Sequence, residues 1–294
     1  MNLAPTSTEP RLRRVQCLGG HGLHRMAYWE WGDPASRRLL VCVHGLARQG
    51  RDFDTLARAM QGDFRVVCPD VAGRGESDRL ADPSGYQVPA YVADMVTLLA
   101  RLDADSVAFV GTSMGGLIGM VLASLPESPI GRLVINDVGP TIDAVGIARI
   151  AEYIGAPLRW PSVDAAADYL LSISRGFGPH SRDDWLALTQ PMLRRDGDAW
   201  RLHYDPAIAI ALRAITPAAA AAGQAALWAA YDAIHCPTLV LRGAESDLLS
   251  RPTAEAMHAR GPRAVVHEFT GVGHAPTLVA ADQVGVVRKF LLTP

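Results

Sequence analysis

The sequence predicts an α/β fold: a mostly parallel sheet, helices on both of its faces, and an inserted helical segment. Three observations predict it. Short runs that are apolar nearly throughout recur along the chain. Stretches with apolar residues at helical spacing separate them. Between about Gly139 and Ile234 the apolar runs stop and alanine-rich helical segments replace them.

The strand candidates are Leu39–Val43, Arg65–Pro69, Ser106–Gly111, Arg132–Asn136, Thr238–Leu241 and Ala264–Phe269. A strand buried on both faces of a parallel sheet needs no polar alternation, and these runs show little. The helical candidates are Asp52–Met60, Pro89–Leu102, Met114–Leu125, Thr253–Arg260 and Thr277–Leu292. Their alternation with the strands implies parallel crossovers. Leu12–Leu18 and Leu23–Trp31 have no helix between them and read as an antiparallel pair leading into the sheet. The expected division is a core of 1–138 and 235–294, with 139–234 as a helical cap. Four of the six tryptophans fall in that insertion, at 160, 185, 200 and 228, so it is not a solvated linker.

The bulk numbers agree with a globular enzyme. The chain has 294 residues, 49% hydrophobic and 20% charged. A formal charge of −2 makes no electrostatic case for nucleic acid or an anionic membrane. Cys17, Cys42, Cys68 and Cys236 form no C-x-x-C pair and read as reduced thiols. The first residues, MNLAPTSTEPRLRR, contain no apolar core of a signal peptide, and no apolar run reaches the ~20 residues of a spanning helix. A cytoplasmic protein without membrane insertion is expected, with homo-oligomerisation left open.

Gly111-Thr112-Ser113-Met114-Gly115 follows a strand and opens a helix. This is the G-x-S-x-G pattern in the context that gives it meaning. A serine on so tight a turn has a strained backbone, and glycine two residues either side avoids collision with neighbouring elements. Ser113 is the candidate nucleophile. The competing reading is a structural turn with a serine helix cap.

A nucleophile attacking a carbonyl needs two N–H donors for the developing oxyanion. The backbone N–H groups of Met114 and of Leu46, in the His44-Gly45-Leu46 turn, are assigned to it. His44 reads as structural, since it comes too early in the chain for the base of this fold, and His44 and Gly45 are also carried as candidate substrate contacts. Of nine histidines, His274 sits in the glycine-rich loop FTGVGHAP, late in the chain, and is the candidate base. Asp247, after the strand TLVLRG, is the expected acid. Glu245 and Asp137 are its rivals.

HGLA, PDVAGRGESD, GTSMGG, LVLRGAESD and GVGHAP occur in this order. Over about residues 24–292 the chain resembles the α/β-hydrolase superfamily, in its helical-cap branch of esterases, lactonases and carbon–carbon bond hydrolases. The resemblance implies an eight-stranded sheet, a lid inserted after the sixth strand, and the roles named for Ser113, Asp247 and His274.

Gly73–Asp78 lacks the Lys-Ser/Thr ending of a phosphate loop and reads as a loop at the sheet's upper edge, ordered by Arg74. His21 and His24 lie close together, but nothing nearby in sequence completes a metal set, so no metal and no cofactor are expected. Trp160 and Phe177 are the candidate cap contacts to substrate, although a tryptophan in such a segment is more often core than a substrate contact. The expected activity is hydrolysis of a small, moderately apolar carboxylic ester, lactone or thioester. The alternatives are a carbon–carbon bond hydrolase, an acyltransferase or a cofactor-free perhydrolase on the same fold. A non-catalytic ligand-binding receptor is the alternative of another class.

Overall fold

A computed structural model describes residues 9–20 and 22–293. The first eight residues, over which the absence of a signal peptide was read, and His21 lie outside them.

The chain opens with the antiparallel pair β1 (Arg11–Gly19) and β2 (Gly22–Trp31). Then follow β3 (Arg38–Val43), α1 (Asp54–Met60), β4 (Arg65–Pro69), α2 (Val88–Leu102), β5 (Ser106–Thr112), α3 (Met114–Ser124) and β6 (Ile130–Asn136). The insertion contributes α4 (Ala144–Tyr153), α5 (Val163–Ile173), α6 (Arg182–Thr189), β7 (Leu193–Asp196), β8 (Ala199–Leu202), α7 (Ile208–Arg213) and α8 (Pro217–Asp232). The sheet resumes with β9 (Thr238–Gly243), α9 (Arg251–Ala259), β10 (Val265–Phe269) and α10 (Ala281–Leu292).

Eight strands form one sheet in the order β1-β2-β4-β3-β5-β6-β9-β10. β1 and β2, and β2 and β4, are antiparallel; the others pair in parallel. Successive residues of the central strands enter opposite cores. Val41, Phe109 and Leu133 join one cluster, while Leu40, Val110 and Val134 join the other. Both faces are therefore covered, which is why these runs lack polar alternation.

Two expectations are corrected. The insertion is not wholly helical, because β7 and β8 pair as a small antiparallel ribbon. Their sequences, LRRD and AWRL, carry charges and no apolar run. The last helix starts at Ala281 rather than Thr277. Leu278 has φ +59° and its N–H donates to Gln283 Oε1, so residues 277–280 form a turn instead of a first helical turn. Among the described residues, no helix is long and apolar enough to cross a membrane.

The contact that positions the site is the approach of α3 to β3. A methyl group on Gly115 would collide with the Val43 carbonyl oxygen, a backbone atom that cannot rotate away. Gly115→Ala should therefore destabilise the fold by about 3 kcal/mol or more. Gly223, inside α8, has nothing near its missing side chain, and Gly223→Ala should stabilise by about 0.5–1 kcal/mol. Urea unfolding of both variants checks the pair; equal and small effects would contradict the close approach.

Candidate active site

Ser113 sits between β5 and α3 at φ +52°, a backbone region that non-glycine residues rarely occupy. Its N–H donates to the Asn136 carbonyl at the end of β6, 2.9 Å away. The serine turn is thus tied to the neighbouring strand. His274 enters from the loop after β10, with its Nε2 3.0 Å from Ser113 Oγ. Its Nδ1 lies 2.8 Å from Asp137 Oδ2.

Asp137 is fully buried and follows directly on β6. Its Oδ1 accepts from the Gly243 N–H at 2.8 Å, and its Oδ2 accepts from the Ser246 hydroxyl at 2.7 Å. A carboxylate accepts, so the proton of a neutral His274 sits on Nδ1. Nε2 is then the acceptor for the Ser113 hydroxyl.

This corrects the assignment of Asp247. That carboxylate is engaged elsewhere: Arg149 Nε and Nη2, from α4, donate to it at 2.6 and 3.1 Å. The Arg149 pairing holds its carboxyl below the ordinary range. Asp137 and Asp247 both follow strand ends, and those strands are neighbours with Asn136 opposite Leu241. Spacing along the chain does not distinguish them. The left-handed backbone at Asp137, φ +56°, turns its side chain into the site, and no sequence signal announces that.

The His44-Gly45-Leu46 turn lies beside the serine. A Cβ on Gly45 would stand 3.6 Å from Ser113 Cβ. Neither the Leu46 nor the Met114 backbone N–H has an acceptor among the described residues. Buried backbone donors are nearly always paired. Met114 directly follows Ser113 and Leu46 follows Gly45, so both free N–H groups belong to the two segments that meet at the serine.

The surroundings of His44 fit its structural reading better than a substrate contact. It is fully buried, and its Nε2 accepts from the Val71 N–H at 2.9 Å. Its Nδ1–H therefore donates to the Gly45 carbonyl at 2.7 Å. Trp160 is corrected as well. Its partners Tyr169, Ala166, Leu193 and Trp200 all belong to the insertion, where it is a core residue. Phe177 does come close to the sheet's upper edge, with its ring 5.6 Å from the Arg48 guanidinium. The adjacent Gly176 carbonyl accepts from the Gly273 N–H, next to His274, at 2.6 Å.

His24 acquires two neighbours that sequence proximity did not supply. Cys17, its partner across the β1–β2 pair, and Asp94 on α2 bring three potential ligand atoms within 4.8 Å of one another. His24 Nε2 lies 2.9 Å from Asp94 Oδ2. Burial, reinforced by Asp94, pushes the Cys17 thiol up to about 12, so the cluster holds a protonated thiol. All four cysteines are free.

A family model described as "Alpha/beta hydrolase family" matches residues 40–286. The chain belongs to the alpha/beta hydrolase family. It is a hydrolase. A protein of Cupriavidus necator named 3-hydroxybutyrate-oligomer hydrolase is 54% identical over 288 residues, covering 97% of this chain and 98% of that one. An alpha/beta hydrolase from Novosphingobium aromaticivorans superposes with a TM-score of 0.85 at 33% identity, over 96% of this chain and 98% of the other. A Rickettsia typhi protein gives a TM-score of 0.86 at 27% identity, over 96% and 98% of the two chains.

The buried His44 gives this hydrolase a testable pH dependence. Burial lowers its pKa to about 3. The unfolded chain takes up a proton near pH 6.5 that the folded chain refuses until about pH 3. Stability from this source is complete above pH 6.5 and is lost as pH falls. Asp70, raised to about 6 by burial, has the opposite dependence, and a comparison at equal pH cancels it. The stability of the natural chain relative to His44→Gln should fall by roughly 3 kcal/mol between pH 6.5 and pH 4. Denaturant unfolding across that range checks it; a pH-independent difference would rule out a neutral His44 held by burial.

Proposed function

We propose that this chain hydrolyses the ester bonds of short 3-hydroxybutyrate oligomers by acyl transfer through Ser113. One observation carries the chemistry: the unbroken hydrogen-bond chain from Ser113 Oγ through His274 to Asp137. The near full-length similarity to the Cupriavidus necator 3-hydroxybutyrate-oligomer hydrolase supports the substrate class.

In the first step Ser113 Oγ bonds to the ester carbonyl carbon while its proton passes to His274 Nε2. Asp137 holds the imidazole in the required tautomer and stabilises the imidazolium. The Leu46 and Met114 N–H groups receive the oxyanion. Collapse of the tetrahedral species breaks the carbon–oxygen bond to the departing hydroxyl end. His274 returns its proton to that oxygen. Water then attacks the acyl-enzyme, its proton goes to His274 and on to Ser113, and a carboxylic acid leaves. The donors and acceptors for both steps are side chains and backbone of the chain itself. The insertion, as a cap over this site, would shape the acyl and alcohol sides, with Phe177 on one wall. Four free thiols support a reducing compartment such as the cytoplasm.

Release of 3-hydroxybutyrate from its linear dimer and trimer tests this. Ser113→Ala should lower turnover by roughly 10³–10⁶, and Asp137→Asn by roughly 10⁴. Asp247→Asn should stay within about tenfold of the natural chain, because its carboxylate is bonded to Arg149 and not to His274. Full turnover in Ser113→Ala would end the acyl-enzyme reading. Cleavage of p-nitrophenyl butyrate without cleavage of the oligomers would leave the chemistry standing and remove the substrate class.

A further inference from the structure

The Leu46 N–H is aimed by the peptide that carries it. In a trans peptide the N–H points opposite to the carbonyl of the preceding residue. The Gly45 carbonyl accepts from His44 Nδ1–H and from the Arg48 N–H at 3.1 Å, which fixes one side of the Leu46 N–H. The other side is the carbonyl of Leu46 itself, and it accepts from Arg74 Nε at 2.9 Å.

Arg74 is unusual in its surroundings. It is completely buried, and among the described residues no carboxylate is in ion-pair reach of it. Buried charges normally carry a counter-charge. Here the guanidinium is spent on neutral groups. Its Nη1 donates to the Ala72 carbonyl at 2.7 Å and to the Tyr91 hydroxyl at 2.8 Å. Its Nη2 faces Met114 Sδ at 3.6 Å. Its plane lies 5.0 Å from the Tyr91 ring centre. One cation therefore touches both residues whose N–H groups are assigned to the oxyanion. Its backbone is anchored too: Arg74 bridges to Tyr204 of the insertion, and the next N–H, of Gly75, donates to the His203 carbonyl at 2.9 Å.

We propose that Arg74 is a positioning residue for transition-state stabilisation. It clamps the Leu46 carbonyl and the start of α3 so that the Leu46 and Met114 N–H groups converge on one point. Its uncompensated charge also favours negative charge developing there. The proposal rests on the acyl-transfer reading of Ser113.

The test uses p-nitrophenyl butyrate as substrate, butaneboronic acid as a tetrahedral mimic and butyrate as a ground-state ligand. Arg74→Met keeps the length of the stem and removes the hydrogen bonds. Its kcat should fall roughly tenfold to a hundredfold, somewhat less than complete loss of one oxyanion donor. KM should stay within threefold. The boronate inhibition constant should rise by a factor similar to the loss in kcat, with the butyrate constant unchanged. Arg74→Lys should recover part of the loss and remain at least threefold below the natural chain. Activity is expressed per site labelled by a fluorophosphonate, so misfolded enzyme does not count as slow enzyme. Equal weakening of boronate and butyrate, or natural kcat per labelled site in Arg74→Met, would overturn the proposal. Where Arg74→Met fails to fold, unchanged kcat and boronate affinity in Arg74→Lys overturn it instead. Retained turnover in Ser113→Ala would strike the acyl-transfer reading itself, a result separable from any behaviour of Arg74.

Discussion

Everything at the upper edge of the sheet depends on how closely α3 packs behind β3 and β5. Cβ atoms at Gly111 and Gly115 would collide with the backbone at Gly115 and Val43, and one at Gly116 would press on Val138. The helix therefore starts immediately beneath the serine, with no room for a relaxed turn. Ser113 absorbs the geometry in its positive φ, a strain of about 1–3 kcal/mol that the surrounding core over-determines. The strain has a chemical consequence. It sets the hydroxyl at the strand ends, next to the first N–H of α3, which like the first N–H of any helix has no carbonyl of its own helix to bond.

The acid shows how the same sheet solves a second problem. A histidine on a loop needs an oriented partner, and a buried carboxylate needs donors. Asp137 meets both conditions because β6 lies between β5, which leads to Ser113, and β9, which leads to Gly243 and Ser246. Its oxygens are filled by groups from β9 and by the imidazole. Asp247 lies a few residues further along its own loop, where an insertion arginine meets it first. The distinction is one of strand adjacency. A linear reading sees two aspartates after two strands and has no measure of which carboxylate faces inward.

Other features were legible to different degrees for equally physical reasons. The central strands are apolar on both sides, so their runs stand out in the sequence, and the glycine-flanked serine marks its own turn. His274, picked among nine histidines from its glycine-rich loop and late position, is the one whose ring lies beside Ser113. By contrast, β7 and β8 are short and charged, and only their mutual pairing makes them strands. Trp160 could be read as core or as a substrate contact from its aromatic ring in the insertion, and its ring fills a core there. His44 adjoins Gly45, and the structural reading of it agrees with its full burial. Its ring faces the Val71 backbone, and its contribution passes through the Gly45 carbonyl.

The insertion grips the three loops from which the site is built. Arg48, two residues beyond Leu46, pairs with Asp52 and also reaches the Leu188 carbonyl in the last turn of α6. The segment 203–205 pairs with 73–75, where the Asp205 N–H donates to the Gly73 carbonyl at 2.7 Å. His180 Nε2 lies 2.7 Å from Thr277 Oγ1, and Gly176 holds Gly273, on either side of His274. These contacts are hydrogen bonds at a boundary, individually worth about 1 kcal/mol. A displacement of the insertion that broke one set would release the Leu46 turn, the Arg74 loop or the His274 loop. These contacts tie the position of the insertion to the order of all three loops through the same backbone. Under the acyl transfer proposed above, a substrate seated against both the insertion and Ser113 would keep these contacts closed, converting binding energy remote from the ester into order at the reacting carbon.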